Sequence, residues 1–191
     1  MAIRIFVDQG HNPTGFHNTG ARGNNLIEEN ITYQVGIYLA NLLQADPRFA
    51  VRLSRPTPDT VLGTTNATSL AERVRLANSW PAHYFISIHA NANVNPAING
   101  AEIYIYQYNT QANWLAQRVL NQIVRQTGLR DNGIRLNQSL FVLRRTQMPS
   151  ILVEMGYLTN ANDAAIIRDN QWRIAYAIYR GLLDYFGFQP I

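Results

Sequence analysis

Short apolar segments recur along the chain and predict the strands of a β-sheet. Several of them are almost continuously apolar, which is typical of strands that are covered on both faces. The predicted strands are Ile3–Val7, Ala50–Leu53, Tyr84–His89, Glu102–Tyr106, Leu140–Leu143 and Ile151–Glu154.

Longer segments between these strands place apolar residues at helical spacing. In Leu26–Leu43, for example, Ile31, Val35, Leu39 and Leu42 form one face of a helix. The other predicted helices are Ser69–Ser79, Gln111–Thr127 and Asp163–Phe186. Because strands and helices alternate, we predict an α/β fold with a mostly parallel sheet.

Residue types at the helix ends support two of these boundaries. Ser69 and Glu72 have the spacing of a capping box at the start of the second helix. Gly128 directly follows the third helix, and glycine is the residue that most often ends a helix in the left-handed conformation.

The composition fits one folded domain rather than a disordered or membrane protein. The chain has 191 residues, of which 47% are hydrophobic and 15% charged. No run reaches the roughly 20 apolar residues of a membrane span. We therefore treat residues 1–191 as a single domain. Its start, Met1 to Ile5, lacks the features of a secretory signal, so we predict no signal peptide within this chain.

Charge and cysteine content narrow the chemistry. The formal net charge of +4 suits an acidic polymer as partner, but it also fits ordinary solubility. The arginines are scattered, without the basic and aromatic cluster of a nucleic-acid-binding surface, so we predict no nucleic-acid partner. The absence of cysteine excludes disulfides and thiolate metal sites, and leaves histidine and carboxylates as the strong metal ligands.

Two histidines stand where predicted strands end. His11 follows the first strand after Gly10, in VDQGHN, and His89 ends the third strand, in FISIHANAN. A single histidine in such a place is more often structural. However, parallel strands end at one edge of a sheet, so these two are candidate metal ligands. The other histidines, His17 and His83, are interpreted as surface residues.

The first helix supplies a candidate third ligand. Glu28 lies toward the apolar face of that helix, and Glu29 lies on the far side. A carboxylate on the inward face is costly unless it is paired or bound to a metal. Glu28 is therefore the candidate, and Glu29 is predicted to be exposed to solvent. Alternatively, Glu28 only interacts favourably with the helix N-terminus, and periodicity alone leaves both interpretations open.

A fourth candidate, Glu154, ends the last predicted strand, in PSILVEMGYLTN. A carboxylate that terminates a buried strand is unusual. Beside a metal it could take a proton from water and give it to a leaving nitrogen. Without a metal, a salt bridge at the strand end would be the simpler interpretation.

Taken in order, these motifs resemble those of zinc-dependent N-acetylmuramoyl-L-alanine amidases of the Amidase_3 type. Each motif is weak alone because the ligand spacings are long and irregular. Together they extend from the first strand to the last helix. The motifs are VDQGHN, the glutamate of LIEENI, AERVRLAN, FISIHANAN followed by Gly100, and PSILVEMGYLTN.

The resemblance implies a single α/β domain with a twisted, mostly parallel sheet of about six strands flanked by helices. It implies one Zn²⁺ held by His11, Glu28 and His89, with Glu154 as the catalytic glutamate. The substrate would be peptidoglycan, cleaved at the amide between the lactyl group of N-acetylmuramic acid and the L-alanine of the stem peptide. Such an enzyme acts on the cell wall, in an extracellular or periplasmic location, as an autolysin, a sporulation enzyme or a phage lysin.

Some positions match the family without a catalytic assignment, and two depart from it. Gln9 stands where the family commonly has proline, and Glu29 stands where it often has lysine or arginine. Matching positions that we assign to structure or to the rim of the cleft are Arg55, Arg73, Ser87 and Asn91.

Two other functions stay open on sequence alone. The first is a zinc carboxypeptidase or another cell-wall peptidase. Such enzymes often carry His-x-x-Glu, but the residue three after His11 is Thr14, and the helical His-Glu-x-x-His motif is absent. The second is a non-catalytic peptidoglycan-binding module. Loss of Glu154 or of a ligand would mark such a module, but all four residues are present.

Overall fold

The computed structural model describes residues 1–191, and a six-stranded sheet crosses the middle of the molecule. Two further short strands, β2 (Arg22–Gly23) and β3 (Leu26–Ile27), pair as an antiparallel ribbon apart from it. The strands of the main sheet are β1 (Ile3–Gln9), β4 (Phe49–Leu53), β5 (Tyr84–Asn91), β6 (Ala101–Ile105), β7 (Asp131–Leu136) and β8 (Ser150–Tyr157).

Strand directions place the carboxyl ends of four strands at one edge of the sheet. The order is β4-β1-β5-β8-β6-β7, and the first four strands are parallel to one another. β6 runs antiparallel to β8, and β7 is parallel to β6. The predicted α/β fold with a mostly parallel sheet is confirmed. The edge where β1, β5 and β8 end is the one at which such sheets bind ligands.

Six helices flank the sheet, and three of them cover one face. Val35 of the first, Leu115 of the third and Ile178 of the last belong to one buried cluster with Val7 and Ile88 of the strands. None of the helices is both long and apolar enough to cross a membrane. The helices are α1 (Glu28–Ala45), α2 (Asn66–Ser79), α3 (Gln111–Thr127), α4 (Phe141–Arg145), α5 (Ala161–Asp169) and α6 (Gln171–Phe186).

The opposite face of the sheet is covered only in part, by α2 and α4. There Phe6 stacks on Phe85 with ring centroids 5.7 Å apart, and both pack with Val74 of α2 and Val142 of α4. Because successive strand residues alternate between faces, His89 lies on the same face as Phe85. The candidate site therefore opens beside α2 and α4.

One predicted strand is wrong. Leu140–Leu143 leads into the helix α4, where Val142 and Leu143 are buried. A four-residue apolar run fits a buried helical turn as well as a strand. The sixth strand is instead β7, which lies at the edge of the sheet and is largely exposed, so it lacks the apolar run of a central strand.

The start of α2 also differs from the prediction. The capping box is formed by Thr65 and Thr68, not by Ser69 and Glu72, so the helix begins at Asn66. The Thr68 hydroxyl accepts the Thr65 N–H at 2.8 Å and so replaces the glutamate that usually closes this motif.

The last predicted helix, Asp163–Phe186, is in fact two. α5 and α6 are separated at Asn170. Ile167 and Ile174 are both buried and lie seven residues apart, which is close to two helical turns. The apolar period therefore continues across the break and does not reveal it.

Candidate metal centre and catalytic cleft

Three side chains from distant parts of the chain meet at the carboxyl edge of the sheet. His11 Nε2 and His89 Nδ1 each lie 3.0 Å from Glu28 Oε1. The two ring nitrogens are 3.1 Å apart. The structure therefore brings together the three residues that the sequence singles out as candidate ligands.

Hydrogen bonds alone do not explain this triangle, but a divalent metal ion fits it. If both ring nitrogens donate to the Glu28 oxygen, no hydrogen bond joins the two nitrogens to each other. If one nitrogen donates to the other, it no longer donates to the oxygen. At least one of the three short distances is therefore left without a hydrogen bond. Around a tetrahedral ion with bonds of about 2.0–2.1 Å, neighbouring donors lie about 3.3 Å apart. Two imidazoles and one carboxylate form a common donor set for such an ion.

The Glu28 carboxylate is held in place and ionised. Its Oε2 accepts the Ala21 N–H at 2.7 Å, and its Oε1 accepts the Ala90 N–H at 3.0 Å. Burial opposes its charge, but hydrogen bonds from His11 and His89 outweigh burial and hold its pKa far below the ordinary value. A metal ligand has to be deprotonated, and Glu28 satisfies that condition.

His11 reaches the centre through an uncommon backbone conformation. Its φ is +70°, in the left-handed region that non-glycine residues rarely adopt. Its carbonyl accepts from Arg73 Nη2 at 2.6 Å and from Arg55 Nη1 at 3.4 Å. At Gly10, just before it, any side chain would collide with the His89 ring. The turn after β1 is thus held by two buried arginines and requires glycine.

Arg73 also links α2 to the end of β1. It donates to Asp8 Oδ1 and to the Gln9 carbonyl, both at 2.6 Å, and Ser87 donates to Asp8 Oδ2 at 2.7 Å. Burial raises the pKa of Asp8, but Arg73 and Ser87 more than offset this and lower the pKa overall. Arg73 and Ser87 therefore have the structural role that the sequence predicts for them.

Glu154 lies beside the three donors but is not one of them. Its Cα pairs with that of His89 on one side and with that of Glu102 on the other. Its Oε2 is covered and has no hydrogen-bond partner. Burial, together with the carboxylates of Glu28 and Glu102, raises the pKa of Glu154 well above its ordinary value. A carboxyl group with a raised pKa holds a proton more readily than an ordinary one, as a general base and acid requires.

The prediction that Glu29 is exposed is wrong. Its side chain is fully buried and accepts hydrogen bonds from Thr14 Oγ1 at 2.7 Å and from the Gly20 N–H at 3.1 Å. Helical phase alone predicts solvent at this position, but the loop that follows β1 packs against Glu29. Glu29 therefore anchors the loop that lies over the candidate centre.

The two remaining histidines differ from each other. His83 is exposed, as predicted, and its Nδ1 accepts the Arg4 N–H at 3.2 Å. His17 is half-buried, and its Nε2 lies 3.0 Å from both Asn12 Nδ2 and the Leu62 carbonyl. His17 is therefore less exposed than predicted, and it helps to hold the loop after β1.

The structure also contains a hydrogen-bonded cluster around Glu102, which is not predicted from the sequence. Glu102 Oε1 accepts from Asn91 Nδ2 and from the Tyr104 hydroxyl, both at 2.9 Å, and its Oε2 accepts from Arg135 Nε at 3.2 Å. The available signal was a glutamate at an inward position of the apolar strand AEIYI. Asn91, which the sequence assigns to structure or to the rim, belongs to this cluster.

Comparison with known proteins identifies the family. The family model for N-acetylmuramoyl-L-alanine amidases of the Amidase_3 type matches residues 5–184. The chain belongs to this amidase family. The family resemblance of the sequence motifs is confirmed.

Curated relatives of this amidase-family domain are longer proteins. LytC of Bacillus subtilis, an N-acetylmuramoyl-L-alanine amidase, is 34% identical over 188 residues, which is 95% of this chain and 35% of LytC. The amidase CwlM of Bacillus licheniformis is 35% identical over 170 residues, which is 88% of this chain and 62% of CwlM. The chain thus spans about a third of the first and about three fifths of the second.

Solved amidase structures share the whole fold. The catalytic domain of CwlV from Bacillus (Paenibacillus) polymyxa var. colistinus superposes with a TM-score of 0.84 at 31% identity, covering 98% of this chain and 99% of that one. An N-acetylmuramoyl-L-alanine amidase from Clostridium difficile 630 gives a TM-score of 0.86 at 32% identity, with 99% coverage of both chains.

The departure of this amidase-family chain at Gln9 is accommodated by hydrogen bonds. The buried Gln9 side chain donates from Nε2 to the Arg55 carbonyl at 3.0 Å and accepts the Arg55 N–H at 2.9 Å. These bonds tie the end of β1 to the segment after β4. The turn that presents His11 is therefore fixed without the proline that is common in the family.

Proposed function

We propose that this chain is a zinc-dependent N-acetylmuramoyl-L-alanine amidase. It hydrolyses the amide between the lactyl group of N-acetylmuramic acid and the L-alanine of the stem peptide. Peptidoglycan is its partner, and it acts on the cell wall, in an extracellular or periplasmic location. The observation that carries this proposal is the placement of Glu154 beside three convergent donors without being a fourth donor.

The donor set supports zinc as the metal, with one ion per chain. His11, Glu28 and His89 would hold it through two nitrogens and one oxygen, which is the donor set of several catalytic zinc sites. Three protein donors leave a coordination position for water or substrate, as catalysis requires. When bound, Zn²⁺ lowers the pKa of water and polarises a carbonyl oxygen.

Glu154 moves the proton in this mechanism. Its raised pKa follows from burial and from the carboxylates of Glu28 and Glu102. As the base, it takes a proton from the attacking water. As the acid, it gives that proton to the amine nitrogen of L-alanine, which leaves with the stem peptide. No covalent bond between the protein and the substrate is needed.

Digestion of purified peptidoglycan, followed by mass spectrometry of the products, tests this function. The amidase should release intact stem peptides with a free L-alanine amino group. A chelator should abolish the release, and added Zn²⁺ should restore it. A peptidase would instead shorten or split the stems, and a binding module would release nothing. Either result would contradict the proposal.

A further inference from the structure

A line of polar side chains crosses the sheet from the candidate metal centre to the outermost strand, β7. His89 on β5, Glu154 on β8 and Glu102 on β6 are Cα partners across adjacent strands. Arg135 on β7 continues the line, because its Nε donates to Glu102 Oε2 at 3.2 Å. The line lies on the face that α2 and α4 leave partly open.

The proposed reaction indicates how the substrate would be oriented along this line of side chains. The leaving amine has to be close to Glu154, which protonates it. Glu154 lies on the β6 side of the three donors. In this geometry the stem peptide, which begins at this amine, would extend over β6 and β7, and the muramoyl group would lie on the other side of the metal centre.

Arg135 is suited to bind an anion there. It is the only arginine or lysine on β6, β7 and β8. Its side chain is 54% exposed, and its two terminal nitrogens donate to no protein atom. Glu102 already accepts from Asn91 and Tyr104, and an exposed ion pair alone contributes little stability. The free end of a guanidinium matches a carboxylate with two parallel hydrogen bonds.

Strand spacing indicates which residue of the stem Arg135 would meet. Adjacent strands lie about 4.8 Å apart, and an extended peptide advances about 3.3 Å per residue. The Arg135 guanidinium reaches back to Glu102, one strand beyond Glu154. That displacement corresponds to one or two residues past the scissile amide. The second stem residue is D-glutamate, linked through its γ-carboxyl with its α-carboxylate free, or the amidated form, D-isoglutamine.

We propose that Arg135 binds the α-carboxylate of the second stem residue and makes the enzyme prefer D-glutamate to D-isoglutamine there. This inference rests on the proposed amidase function. Because the contact is remote from the reacting atoms, it should act on KM more than on kcat.

Two soluble disaccharide pentapeptides that differ only in this α-carboxyl group test the proposal. The zinc-loaded wild type should cleave the acid with a kcat/KM about tenfold higher than the amide, since one charge-assisted hydrogen bond has that order of effect. Arg135→Gln should lower the value for the acid to that for the amide, mainly through KM. A folding defect would instead lower both values together.

Arg173→Gln is the matched control, because this substitution removes the same charge at a distant position. Arg173 is exposed on α6, which covers the opposite face of the sheet. It should keep the preference for the acid. Equal cleavage of both substrates by the wild type, or a preference that survives in Arg135→Gln, would overturn the proposed role of Arg135 but not the proposed amidase function. Cleavage of neither substrate by the wild type would overturn the proposed amidase function and this inference with it.

Discussion

At the scale of single residues, Glu154 is the group whose environment is unfavourable for its charge. Glu154 Oε2 is covered without a hydrogen-bond partner, and the carboxylates of Glu28 and Glu102 lie nearby. Each of these conditions disfavours the ionised form. The proposed base is therefore held in a state that costs folding free energy, as is common for catalytic groups.

This cost should appear as a pH dependence of stability in the metal-free protein. The folded-state pKa of Glu154 is raised above its ordinary value of 4.5, so its contribution to stability is present at low pH and is lost as pH rises. Glu154→Gln removes the ionisation. In urea denaturation of chelator-treated protein, the variant should gain stability relative to wild type as the pH rises above about 4.5. A difference that does not change with pH would contradict the raised pKa.

The neighbouring pair Glu28 and Glu29 should separate metal binding from stability. Glu28→Gln removes a proposed ligand, so the metal content should fall sharply. Glu29→Gln should keep the metal but lower the free energy of unfolding by about 1–3 kcal/mol, because it disturbs the hydrogen bonds that the buried Glu29 carboxylate accepts from Thr14 and Gly20. Elemental analysis and urea denaturation of both variants measure the two effects. The reverse pattern would identify Glu29 as the ligand.

At the scale of elements, the sequence predicts the strands and helices whose apolar residues are periodic. It does not predict features that depend on contacts between segments far apart in the chain. The central strands follow from apolar runs that are buried on both faces, and these runs also place His11 just after β1 and His89 near the end of β5. β7 is missed because an edge strand does not need such a run. The burial of Glu29 is missed because a loop, rather than the helix itself, covers it.

The link between α2 and β1 gives a prediction at this scale. Arg73→Met leaves the buried Asp8 carboxylate without its cation, which should cost about 3–5 kcal/mol of unfolding free energy. Arg75→Met, on the same helix, breaks an exposed pair with Glu72 and should cost far less, because water screens that pair. Chemical denaturation of both variants compares the two losses.

A second substitution identifies the buried charge as the cause. Asp8→Asn in the Arg73→Met background should recover part of the lost stability, because no unpaired charge is then buried. If the double variant instead lost the sum of the two single effects, Asp8 and Arg73 would not act as a pair.

At the scale of the whole molecule, the larger apolar core and the candidate metal centre lie on different faces of one sheet. The face under α1, α3 and α6 carries the larger apolar cluster. The other face carries a smaller one and leaves room for the centre. Next to the centre, a pocket of about 120 Å³ is lined by His11 and His89 together with Leu70, Leu140 and Phe141. The open face therefore has room for the proposed substrate next to the centre without disturbing the main core.

The central claim is that three residues hold a zinc ion while Glu154 moves the proton. The most direct test is a paired measurement on Glu154→Gln: zinc content by elemental analysis, and release of stem peptide from purified peptidoglycan. General acid–base catalysis typically contributes about 10²–10⁴-fold. The variant should therefore keep one zinc per chain and lose turnover by a factor of that order. Loss of the zinc would make Glu154 a ligand, and full activity with the zinc retained would assign the proton transfer to another group.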